Sequence, residues 1–90
     1  MKRLLFYVEQ DYSFDILRPL QAEARRRGHE VRWLVLGDAS SALLKPDEVA
    51  ARNAAEAVRY APHALFAPGD RAPAFIPGLK VEVFHGLNED

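Results

Sequence analysis

The chain has 90 residues, 49% of them apolar, and a formal net charge of −1. That describes one small domain with a real core. It excludes a disordered chain and the basic excess of a nucleic-acid binder. Cysteine is absent, so disulfides and thiolate metal sites are excluded as well.

"MKRLLFYVEQD" begins like a signal peptide, basic and then apolar. Its apolar part is too short, and Glu9 and Asp11 follow with no small-residue cleavage site. No apolar run approaches the roughly 20 residues of a membrane helix. A soluble intracellular protein is the expectation. "RLLFYV" (3–8) is a continuous apolar run, the pattern of a strand buried on both faces of a parallel sheet. "DILRPLQAEARRRGH" predicts a helix with Asp15 as N-cap. Pro19 falls where a proline begins to cost a hydrogen bond, which predicts an irregular start over 15–19. Leu17, Leu20 and Ala24 share one face. Arg25, Arg26 and Arg27 suit a helix C-terminus, with Gly28 as the residue just beyond it.

"EVRWLVLG" (30–37) is the second strand, so 3–37 forms a βαβ unit with a right-handed crossover. "ASSALLK" reads as a short helix and "DEVAA" (47–51) as a short edge strand. Asn53 and Glu56 form a capping box that opens a helix stopped by Pro62; the competing reading is one helix from Pro46 to Tyr60. "HALFAP" (63–68) is a third strand. "GDRAPAFIPGLK" is too broken for a helix, and "KVEVFH" (80–85) is the last strand. The expected fold is α/β: a Rossmann-like three-layer α/β/α half-domain with a parallel sheet of about 4–5 strands. It is expected as one domain over 1–90, truncated at its C-terminal end.

All strand carboxyl ends of a parallel sheet lie on one rim, where open α/β sheets bind ligands. Here they read Glu9-Gln10-Asp11, Gly37-Asp38, Pro68-Gly69-Asp70 and His85-Gly86. The turn after the first strand holds no glycine, so a dinucleotide phosphate loop is disfavoured; Walker A and G-x-S-x-G sequences are absent. His85 is either a general base, since imidazole titrates near neutral pH, or a loop cap. Gly86 either admits a substrate to the backbone or allows a positive φ. Glu9, Gln10 and Asp11, with Gly69 and Asp70, are the candidate substrate-binding residues. Their alternative roles are loop solvation, helix capping and turn chemistry. His29 and His63 begin strands at the opposite rim. The three histidines show no metal-ligand spacing, and neither metal nor cofactor is expected.

"LLFYVEQDYSFDILRPLQAEARRRGHEV", followed by "ALFAPGDRAPAFIPGLKVEVFHGLNED", resembles the N-terminal part of the CDP-glycerol glycerophosphotransferase family, relatives of the teichoic-acid polymerases. The resemblance covers nearly the whole chain and is weakest over 38–52. It implies the N-terminal piece of a GT-B fold, two Rossmann-type domains facing a cleft. Such enzymes transfer glycerol phosphate from CDP-glycerol to a hydroxyl acceptor in cell-surface polymer synthesis. The match of His85-Gly86 to the family's His-Gly motif implies that His85 is the base that deprotonates the acceptor. The family motif continues Thr-Pro-Leu-Lys or similar; here it continues Leu87-Asn88-Glu89-Asp90. The donor, CDP-glycerol or a related activated nucleotide, would be held by a missing C-terminal domain, so this chain alone is expected to be inactive. The implied location is cytoplasmic or peripheral at the inner membrane face. A homo-oligomer is a further expectation, because a half-domain leaves apolar surface uncovered. Two other readings stand beside this one: a fragment of another GT-B glycosyltransferase or a UDP-sugar epimerase-like protein, and a free-standing non-catalytic interaction module.

Overall fold

The computed structural model describes residues 1–68 and 73–83. Strand β1 (Arg3–Val8), helix α1 (Ser13–Arg26) and strand β2 (Glu30–Val35) come first. A single helical turn α2 (Asp38–Ser41), helix α3 (Ala54–Tyr60), β3 (Ala64–Pro68) and β4 (Leu79–Val83) follow. The strands form one four-stranded sheet in the order β2-β1-β3-β4, and every pair is parallel. The expected α/β class and parallel sheet are therefore present.

Side chains alternate across the sheet, and each face has its own core. On one face Phe6, Val8, Val31 and Trp33 pack against Phe14, Leu17 and Ala24 of α1. Trp33 stacks on Phe14 at 5.2 Å and meets the edge of Phe6 at 5.1 Å. On the other face Leu5, Tyr7, Leu34, Leu65 and Ala67 pack against Ala57 of α3, Ala51 and Ile76. The continuous apolar run of β1 follows from this: as a central strand it is covered on both sides.

Helix α1 differs from expectation. It starts at Ser13 after Tyr12, which makes no side-chain capping bond. Asp15 lies inside the first turn rather than at the cap, and Pro19 lies within the helix. The proline is tolerated because its position faces solvent, where water can satisfy the carbonyl left without a donor. The basic end and Gly28, at φ +81°, fall as expected.

Residues 42–53 are not part of a long helix, which removes the reading of one helix from Pro46. The segment instead lies along the outer edge of β2, where Trp33 N donates to Val49 O at 2.9 Å and Ala51 N to Trp33 O at 2.7 Å. The edge strand expected at 47–51 is thus a single bridge at Ala50. Asn53 caps α3, its Oδ1 accepting from Glu56 N at 2.9 Å. Glu56 returns a bond to the amide of Arg52 rather than to that of Asn53. Arg3 Nε and Nη2 donate to Ala61 O at 3.0 and 2.8 Å, closing the C-terminal end of α3.

Gly78 has φ +105°. A Cβ there would run into Pro62 O and lie 3.1 Å from the His63 carbonyl carbon. The glycine therefore lets the chain enter β4 flush against the start of β3.

Candidate functional site

The order β2-β1-β3-β4 contains one reversal. The chain moves outward from β1 to β2, then crosses back to place β3 on the other side of β1. In open α/β sheets that reversal opens a crevice at the strand carboxyl ends. Here the reversal falls between the ends of β1 and β3, and Glu9, Gln10 and Asp11 continue the chain from the end of β1.

Those three residues form the tight connection into α1. Ser13 N donates to Gln10 O at 3.0 Å, Phe14 N to Asp11 O at 3.2 Å and Asp15 N to Tyr12 O at 3.2 Å. The first amides of α1 are consumed locally, so they do not cradle a phosphate. Glu9, Asp11 and Asp15 add carboxylates around the same helix start, where they complement the helix dipole. This corner disfavours phosphate groups and offers acceptors to hydroxyl groups.

Two partners orient the carboxylates. Tyr7 donates its hydroxyl to Glu9 Oε2 at 3.1 Å, and the buried Ser40 donates to Asp11 Oδ1. Glu9 is half-buried, whereas Gln10 and Asp11 are exposed. The Ser40 bond ties the β1 and β2 ends of the rim together, drawing Asp11 toward β2. Glu9 follows Tyr7 on the α3 side of the sheet. Tyr7 was readable only as part of an apolar strand. Ser40 carried no signal beyond its place after Gly37-Asp38.

The remaining candidates, Gly69, Asp70, His85 and Gly86, lie outside the described residues. In the chain, Gly69 follows the last residue of β3, and His85 comes two positions after the last residue of β4. His29 and His63 sit at the opposite rim, as expected. There their Nδ1 atoms accept from the amides of Lys2 and Arg3 at 3.1 and 2.9 Å. Desolvation, then the charges of Arg3 and Lys2, push the His63 pKa down. Both are structural acceptors that stitch β1 to its neighbours.

Among the described residues no group of three or more His, Asp or Glu is placed to hold a metal ion. No described helix is long and apolar enough to cross a membrane. No family model, curated protein or solved structure matches the chain.

One polar cluster escaped the sequence reading. Glu48, its side chain 1% exposed, accepts from Arg18 Nε and Nη2 at 3.1 and 3.0 Å, from Gln21 Nε2 at 2.8 Å and from Lys45 N at 2.8 Å. Burial raises the Glu48 pKa, but the bonds from Arg18, Lys45 N and Gln21 outweigh it and hold it at about 2. The available signal was Gln21, a polar residue on the buried stripe of Phe14, Leu17 and Ala24. The cluster holds residues 45–51 against α1 and β2, away from the crevice.

Proposed function

We propose that this chain is the acceptor-side, Rossmann-like domain of a GT-B-type transferase that moves glycerol phosphate from CDP-glycerol to a hydroxyl acceptor. The observation that carries the reading is the reversal of strand order between β1 and β3, with the start of α1 beside it. That helix start spends its own amides and is ringed by Glu9, Asp11 and Asp15. Such a corner favours the diol end of an acceptor over a nucleotide diphosphate, the division of labour that the His85-Gly86 resemblance implies.

In the reaction, the acceptor oxygen bonds to the phosphorus of the glycerol phosphate. The bond to the cytidylate breaks, and the acceptor proton passes to His85. Positioning and charge stabilisation dominate such transfers. Arg18, which lies over the Phe14 ring near the helix start, is tied to Glu48 and the Leu43 carbonyl, so stabilising the phosphoryl charge falls to a donor domain. Glu9 and Asp11 orient the acceptor by accepting hydrogen bonds from its hydroxyls.

Calorimetry tests the division. Glycerophosphoglycerol, a phosphodiester with free diols, should bind in the millimolar range, on the order of 1 mM. Glu9→Gln and Asp11→Asn together should weaken it about tenfold. CDP-glycerol should bind no better than glycerophosphoglycerol. A clear preference for CDP-glycerol or for UDP-glucose would overturn the acceptor-side reading.

A further inference from the structure

The two outer edges of the sheet are not equivalent. Residues 49–51 cross the middle of the β2 edge, whereas β4 has no outer neighbour among the described residues. Leu79 N donates to His63 O at 3.0 Å. In a parallel ladder, successive residues turn their backbone groups alternately to the two sides. Residues 79, 81 and 83 therefore face β3, and Lys80 and Glu82 point their N–H and C=O groups outward. The side chains divide the same way. Leu79, Val81 and Val83 lie on the α1 face, where Leu79 is 68% exposed and Phe66, Val81 and Val83 are half-buried. Lys80 and Glu82 lie exposed on the α3 face.

We propose that β4 pairs antiparallel with β4 of a second copy about a two-fold axis through Val81, joining the two sheets edge to edge. The register follows from the residues. Outward-facing residues must meet outward-facing residues, which leaves Lys80 opposite Lys80, Glu82 opposite Glu82, or Lys80 opposite Glu82. The first two put like charges in contact, which destabilises a cross-strand pair. The third pairs opposite charges twice and uses every outward backbone group of both residues. It also places Leu79 opposite Val83 and Val81 opposite Val81, extending the apolar strip of the α1 face across the junction. Lys80 Nζ donates to Ile76 O and Gly78 O within its own turn, and an ammonium has a third proton for the second copy's Glu82.

Charged edge strands commonly block pairing; here the alternation of sign leaves one register open. A two-fold junction consumes both β4 edges, so assembly closes at the dimer. This inference is independent of the proposed transferase reading.

Sedimentation velocity on the native chain should show a reversible dimer, with a Kd on the order of 10 μM for so short an edge. K80E and E82K alone each place like charges opposite one another. Each should weaken dimerisation at least about tenfold. An equimolar mixture of the two should recover native affinity as a heterodimer, because every pair is then opposite in charge. Circular dichroism confirms that each variant is folded. Val81→Cys provides a second route: the chain has no other cysteine, so oxidation should give a covalent dimer, with Val49→Cys, 52% exposed, as the control that does not cross-link. A native chain that stays monomeric overturns the proposal. So does a mixture of folded K80E and E82K that fails to associate, or cross-linking no faster at 81 than at 49.

Discussion

Trp33 donates its indole Nε1–H to Gln21 Oε1 at 2.8 Å, and the amide of the same Gln21 donates to Glu48. One buried glutamine thus joins the central aromatic of the α1 core to the carboxylate that fastens residues 45–51. Every link in this chain is hydrogen-bonded, which is what permits a charge there.

Glu48→Gln replaces an acceptor of four bonds with a group that has its own donors, facing those of Arg18, Gln21 and Lys45 N. The expected loss is about 3 kcal/mol at neutral pH, read from the urea midpoint. The folded pKa of Glu48 is depressed from 4.5 to about 2. Its contribution is therefore complete above pH 4.5 and is lost as pH falls from there toward 2. The stability gap between native protein and variant should close over that window; a gap that stays constant would contradict the assignment.

Gly78→Ala sets a side chain against Pro62 O in a backbone conformation that L residues rarely adopt. The expected cost is at least about 2 kcal/mol. Hydrogen exchange should show faster exchange in β4 than in β1. Equal protection of both strands would mean that the turn absorbs the methyl group freely.

Asn53→Ala removes the acceptor for Glu56 N and should cost about 1 kcal/mol. Asn53→Asp should retain nearly all of the stability, because a carboxylate caps as well. The pair of thermal melts separates the cap from a general role for the side chain.

The strands were legible because their burial leaves a direct mark. "RLLFYV" is apolar at every position but the first, as a strand covered on both faces must be, and Asn53 with Glu56 announced α3. The start of α1 was not legible, because Tyr12 precedes the helix without a side-chain capping bond and Asp15, a better cap by type, stands inside it. The placement of 45–51 depends on Glu48 meeting Arg18 and Gln21, residues far away in the chain whose meeting no local pattern records. At the rim, Glu9 and Asp11 were readable as strand-end residues. Their anchors were not, since Tyr7 and Ser40 become partners only once the sheet brings the strand ends together.

In a transferase that contains this domain, His85→Ala should lower turnover about 10²–10⁴-fold if the imidazole takes the acceptor proton. Substrate binding should change little. A loss below about threefold would remove that role from His85.

Ligands should meet this domain at the β1/β3 reversal. The most direct measurement is a two-dimensional amide NMR titration of the chain with glycerophosphoglycerol. Shifts are expected at residues 9–13 and at Ser40, with Lys2, Arg3, His29 and His63 at the opposite rim unmoved. Shifts centred on that opposite rim, or none at residues 9–13 at saturating ligand, would contradict it.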